Sequence, residues 1–73
     1  MKPPLLSGNE VTHAFLKAGY IKVGQRGSHI KLFNPTKQIT LIIPNHKEVD
    51  RWTLKGILKD AEISVEEFLK FVK

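Results

Sequence analysis

The sequence predicts an α+β fold in which one helix precedes a three-stranded antiparallel sheet and two helices follow it, in the order αβββαα. Apolar residues recur with helical spacing near both ends of the chain and alternate with period two in the middle, and turn-forming residues separate the alternating segments. A chain of 73 residues has room for one such unit, so we expect residues 1–73 to form a single domain.

The first predicted helix follows the polar segment Ser7–Glu10, whose side chains can cap a helix. Gly19 is typical of the residue that ends a helix, so we expect the helix to stop there. The apolar residues in between have the i, i+3, i+4, i+7 spacing of one buried stripe: Val11, Ala14, Phe15 and Ala18.

Three segments of alternating polarity, residues 20–25, 28–33 and 38–43, predict the strands of a meander. Turns at Arg26-Gly27 and at residues 34–37 connect them. Because successive side chains of a strand point to opposite faces, the alternation predicts a core face and an outward face. The predicted core face carries Ile21, Val23, Ile30, Leu32, Ile39, Leu41 and Ile43. The predicted outward face carries Lys22, His29, Lys31, Phe33, Gln38 and Thr40.

Two helices complete the predicted fold. One begins near Thr53, and the segment Ser64–Glu67 has the form of a capping box that opens the other. Both have apolar residues at i, i+3, i+4 and i+7: Leu54, Ile57, Leu58 and Ala61 in the first, and Val65, Phe68, Leu69 and Val72 in the second.

The charge of the chain is unevenly distributed. The formal net charge is +5, and no Asp or Glu occurs between Glu10 and Glu48, where all three histidines are found. This basic region indicates a polyanionic partner such as a nucleic acid, although a solvated lysine surface is an equally simple interpretation.

Composition also excludes several kinds of site. The chain has no cysteine, which rules out disulfides, thiolate zinc sites and cysteine nucleophiles and favours a reducing cytoplasm. No apolar segment is long enough for a membrane span, and residues 1–4 lack the apolar stretch of a secretory signal. The histidines are widely separated and the chain has no thiols, so we expect neither a metal nor another cofactor.

Six stretches occur along the chain in a fixed order: Ser7–Val11, Ala18–Tyr20, Gln25–His29, Ile43–His46, Thr53–Ala61 and Ile63–Phe68. With these stretches the chain resembles the HicA-type messenger-RNA interferase toxins of bacterial toxin-antitoxin pairs. The resemblance covers nearly the whole chain. It implies a fold like the double-stranded RNA-binding domain, with helices on one face of the sheet. It also implies RNA endonuclease activity with His29 as the catalytic residue, and a HicB-type antitoxin that masks the site.

The same chemistry is plausible on physical grounds. RNA supplies its own nucleophile, the ribose 2′-hydroxyl, so cleavage without a metal needs a base, an acid and positive charge against the transition state. Histidine exchanges a proton near neutral pH, which makes His29 the candidate acid or base and His46 the candidate second group. The residues expected to bind RNA phosphate are Lys22, Arg26, Gly27, Ser28 and Lys31.

Each candidate residue also has a simpler interpretation. His29 is compatible with an ordinary strand surface, in a non-catalytic module of the same fold that binds RNA or protein. Gly27 suits a hairpin turn in any case, and His46 suits a loop. Phe33 is a candidate for base stacking, for the core edge or for an antitoxin contact. Trp52 departs from the family pattern, and we expect a partner contact there rather than a packed helix cap.

Overall fold

The computed structural model describes residues 3–72. It confirms the α+β class and the predicted element order. The elements are α1 (Gly8–Lys17), β1 (Ile21–Arg26), β2 (His29–Asn34), β3 (Ile39–Pro44), α2 (Arg51–Ala61) and α3 (Val65–Leu69). Each strand begins one residue later than the alternation predicted, and α2 begins at Arg51 rather than near Thr53.

The sheet is an antiparallel meander with β2 in the centre. α1 and α2 pack against β3 on one face of the sheet. On that face Ile30, Leu32, Leu41 and Ile43 are buried, whereas the alternate residues of β2 and β3 are largely exposed. The opposite face of the sheet, called the outward face below, is therefore open to solvent.

Aromatic contacts join α1 and α3 in the core. The Phe15 ring lies 5.2 Å from the Tyr20 ring and 5.3 Å from the Phe68 ring, measured between centroids. Most residues of the predicted stripes are buried there, namely Val11, Ala14 and Phe15 of α1 and all four predicted residues of α2. Ala18, the last residue of the predicted α1 stripe, is only partly buried. In the five-residue α3 only Phe68 is buried.

Polar caps define where each helix begins. Ser7 and Glu10 form a capping box at α1, and Ser64 and Glu67 form another at α3. Asp50 caps α2, where its carboxylate accepts hydrogen bonds from the Thr53 backbone N–H at 2.8 Å and the Thr53 hydroxyl at 2.9 Å. These hydrogen bonds lower the pKa of Asp50.

The predicted faces of β1 are wrong. Ile21 and Val23, expected in the core, are 50% and 49% exposed. Lys22 pairs with Leu32, but Gly24 pairs with Lys31, so Val23 is the extra residue of a β-bulge. The extra residue inverts the alternation of the residues before it. Lys22 therefore lies on the helix face, opposite to the prediction, and Ile21 lies on the outward face beside its partner Phe33.

Gln38 was also misplaced by the alternation. It lies in the turn before β3, with a left-handed φ of 61°, and its backbone N–H donates to the Asn34 carbonyl at 2.7 Å. The Asn34 side chain accepts hydrogen bonds from the Thr36 and Lys37 backbone N–H groups, each at 3.0 Å, and so stabilises this turn.

Within residues 3–72, none of the helices has the length and apolar character needed to cross a bilayer.

Candidate functional site

The outward face carries a basic residue directly beside His29. Arg26 ends β1, His29 begins β2, and the two residues pair across the turn formed by Gly27 and Ser28. Gly27 has a φ of 58°, a left-handed value that glycine adopts at little cost. Directly opposed residues have Cβ atoms about 4.5–5.5 Å apart, so the guanidinium of Arg26 can reach a group bound at His29.

Lys31 extends this basic surface along β2. It lies two residues beyond His29 and therefore on the same face, with Gly24 as its partner in β1 and Ile42 as its partner in β3. A depression of about 460 Å³ lies here, lined by Gly24, Gln25, Arg26, His29, Lys31 and Ile42. Three of the predicted site residues, Arg26, His29 and Lys31, thus line one open depression.

Lys22 does not belong to this group. Its register with Leu32 puts it on the helix face of the sheet, and its ammonium group donates to the Gln25 side-chain oxygen at 2.8 Å. The expectation that Lys22 lies beside His29 and Lys31 is wrong, for the same reason that Ile21 is not in the core.

The loop that contains His46 lies at the same end of the sheet as His29. Pro44, the last residue of β3, pairs with His29. The next residue, Asn45, donates its backbone N–H to the Ser28 carbonyl at 2.6 Å, and the His46 carbonyl accepts from the Gly8 N–H at 2.8 Å. These hydrogen bonds hold the loop between the β1–β2 turn and the first residue of α1, and the His46 side chain is exposed.

Gly8 supports the His46 loop, although the sequence pattern indicated only a helix cap there. A Cβ atom built on Gly8 would collide with the Pro44 carbonyl oxygen and would lie 2.7 Å from the Asn45 Cα. Only glycine lets α1 approach the loop so closely. No local pattern reveals this, because the contact joins residues far apart in the chain.

The two aromatic candidates, Phe33 and Trp52, are far apart in the fold. Phe33 is half-buried on the outward face, between Ile21 and Thr40, at the end of the strands away from His29. Trp52 lies in the first turn of α2 and is 83% exposed, so the packed-cap interpretation of Trp52 is wrong.

The strands that form the outward face contain Arg26 and Lys31 but no acidic residue.

Residues 3–72 contain no group of three or more His, Asp or Glu side chains positioned to hold a metal ion.

Comparison with known proteins agrees with this architecture. The family model described as the HicA toxin of bacterial toxin-antitoxin systems matches residues 8–63, which include α1, the whole sheet and α2. Comparison with curated protein sequences found no match. Three antiparallel strands with helices on one face agree with the double-stranded-RNA-binding-domain-like fold of that family. Because the match covers most of its length, the chain belongs to the HicA toxin family, whose members act within bacterial toxin-antitoxin systems and thus with an antitoxin partner.

Proposed function

We propose that this toxin is a metal-independent endoribonuclease that cleaves messenger RNA, with His29 as its catalytic residue. The observation that supports the proposal is the clustering of Arg26, His29 and Lys31 around one open depression on an exposed sheet face. An imidazole between two cations suits a phosphodiester, because the cations bind the phosphate while the imidazole transfers a proton.

In the proposed reaction His29 acts as the general base. It removes the proton from a ribose 2′-hydroxyl, whose oxygen attacks the adjacent phosphorus. The new O2′–P bond forms as the P–O5′ bond breaks, so the products end in a 2′,3′-cyclic phosphate and a 5′-hydroxyl. Negative charge grows on the phosphoryl oxygens during this step, and the guanidinium of Arg26, opposite His29, stabilises that charge.

A second group must protonate the leaving 5′-oxygen, since one imidazole cannot act as base and acid in the same step. We assign this role to His46 or to a water molecule. The hydrogen bonds from Asn45 to Ser28 and from Gly8 to His46 hold the His46 loop beside the β1–β2 turn. In the proposed complex Gly27 lets the RNA backbone approach this turn, and Ser28 and Lys31 contribute to phosphate binding.

The proposed HicB-type antitoxin neutralises the toxin by covering the outward face, which would exclude RNA from Arg26, His29 and Lys31. Trp52, on the helix side of the domain, is proposed as a further antitoxin contact because it is largely exposed and flanked by Arg51 and Lys55. Isothermal titration of the antitoxin should then show weaker binding to Trp52→Ala than to the parent chain. Equal affinities would remove Trp52 from the interface.

The central experiment compares the parent chain with His29→Ala and with His13→Ala. His13 is an exposed histidine on α1 and serves as the matched control. Each protein is incubated with RNA in excess chelator, and the ends of the products are identified. We expect His29→Ala to lower the cleavage rate by about 10²–10⁴-fold and His13→Ala to leave it unchanged.

Three outcomes would contradict parts of the proposal. Undiminished cleavage by His29→Ala would refute the role of His29. Cleavage that the chelator abolishes would refute the metal-free mechanism. A parent chain that binds RNA without cutting it would favour the non-catalytic module of the same fold.

A further inference from the structure

We infer that the depression beside His29 is a nucleobase subsite, in which a single-stranded base of the RNA packs against Ile42 and extends across Lys31 towards the open space above Gly24. This inference rests on the proposed function, because it assigns a part of the substrate to the surface next to the proposed cleavage point.

Gly24 leaves the space that a base would occupy. A Cβ atom built on Gly24 would meet no atom within 4 Å, and Gly24 does not have a left-handed φ. Neither crowding nor backbone conformation therefore requires glycine at this position. Because Gly24 has no side chain, the outward face has open space beside its pairing partner Lys31.

Ile42 supplies an apolar wall for the same space. Its side chain is 48% exposed. A contact that removes this apolar surface from water would be favourable. A nucleobase presents two apolar faces, and such faces pack on exposed side chains in single-stranded RNA complexes largely without regard to base identity. Ile42 is thus suited to hold a base rather than to read its edge.

The cations of the depression match the remaining parts of a nucleotide. Lys31 separates Gly24 from Ile42 in the row across the strands, and Arg26 and His29 form the next outward-facing row. Rows that share a face are about 7 Å apart along a strand. A phosphate at Arg26 and His29 and a base at Ile42 would therefore belong to the same or to adjacent nucleotides.

Ile21 provides a closely matched control for Ile42. It is the same residue type on the same face, it is 50% exposed, and it does not line the depression. The test uses the His29→Ala background, in which RNA cleavage is expected to be at least about 10²-fold slower. Fluorescence anisotropy measures the binding of a labelled six-nucleotide single-stranded RNA and of an oligomer of the same length built entirely from abasic ribose phosphates.

We expect Ile42→Ala to weaken binding of the base-containing RNA about fivefold to tenfold and to leave binding of the abasic oligomer unchanged. Ile21→Ala should change neither affinity. Gly24→Leu, which fills the depression without a backbone clash, should cause a loss like that of Ile42→Ala while thermal unfolding remains cooperative.

Three results would overturn the inference. In the first, Ile42→Ala and Ile21→Ala bind RNA with equal affinity. In the second, Ile42→Ala lowers the affinity for RNA and for the abasic oligomer by the same factor. In the third, the His29→Ala background binds RNA no more tightly than the abasic oligomer. Cleavage that depends on His29 but not on Ile42 would leave the proposed function standing and remove the subsite. Base-dependent binding through Ile42 in a chain that never cuts RNA would support the subsite and refute the proposed cleavage activity.

Discussion

Arg26 and His29 face each other across the two-residue turn between β1 and β2, and both lie on the exposed face of the sheet. A short turn fixes the register of the strands that it joins, so the spacing of this cation and this imidazole is set locally. The loop after β3 is attached to the same turn, because the Asn45 backbone N–H donates to the Ser28 carbonyl.

Arg26 is expected to act on the chemical step itself. Arg26→Ala should lower the rate constant of RNA cleavage by about 10²-fold, because the substitution removes positive charge where the transition state gains negative charge. Lys22→Ala is the matched control, since Lys22 is on the same strand but on the helix face, and it should change the rate less than about twofold. Single-turnover kinetics with excess protein measures both. Equal effects of the two substitutions would contradict the assignment of faces.

Lys31 is expected to act on binding more than on the rate. A lysine that contacts one phosphate of a single strand releases counterions, so Lys31→Ala should reduce the slope of log affinity against log salt by about 0.7. Anisotropy titrations of a short RNA at several salt concentrations give this slope. Lys37→Ala, which removes a charge from the turn before β3, should leave the slope unchanged. A slope that falls only in Lys37→Ala would place the RNA at the other end of the sheet.

The two helical glycines should respond oppositely to alanine. Gly8→Ala forces a methyl group into the Pro44–Asn45 backbone and should destabilise the fold by about 1–3 kcal/mol. Gly56→Ala in α2 meets no atom within 4 Å and should stabilise the fold by about 0.5–1 kcal/mol through its higher helix propensity. Urea unfolding followed by circular dichroism measures both changes. A stable Gly8→Ala protein would show that the α1–loop contact is looser than described.

Tyr20 should be replaceable by phenylalanine. Its hydroxyl is buried without a hydrogen-bond partner among the described residues, so Tyr20→Phe should retain or raise stability, by at most about 1 kcal/mol. Burial of the hydroxyl raises the pKa of Tyr20 above 10.0, and the nearby Glu62 carboxylate raises it further. The unfolded chain therefore ionises first, and the parent chain loses stability as the pH rises through and above 10.0.

Tyr20→Phe should lack this part of the alkaline decline. Urea unfolding at neutral pH and above pH 10 gives the comparison. A decline of the same size in both proteins would assign the alkaline sensitivity to other groups.

The beginnings of α1 and α3 and the buried stripe of α2 were predicted well because their signals are local, whereas α3 ends at Leu69, before the predicted stripe residue Val72. The capping pairs Ser7–Glu10 and Ser64–Glu67 lie within one helical turn, and the buried stripe of α2 can be derived from spacing alone. His29 and Lys31 were assigned to the outward face correctly for a similar reason, since β2 alternates without interruption.

The errors arose where long-range structure decides. Nothing in the sequence distinguishes the bulged Val23 from an ordinary strand residue, and one extra residue is enough to exchange the predicted faces of Ile21 and Lys22. β1 is also an edge strand whose six residues are all exposed, so its apolar residues never reach the core. The close approach at Gly8 depends on a loop more than 30 residues away in the sequence.

Val23, the bulge residue, determines which face of the sheet each residue before it in β1 occupies. Deleting this single residue while the turn end of the strand stays paired would rotate Lys22 out to the outward face and Ile21 in towards the helices. One deletion would thus move a positive charge from one side of the protein to the other without substituting any residue. In this strand the number of residues, as much as their identity, determines how much positive charge the outward face carries.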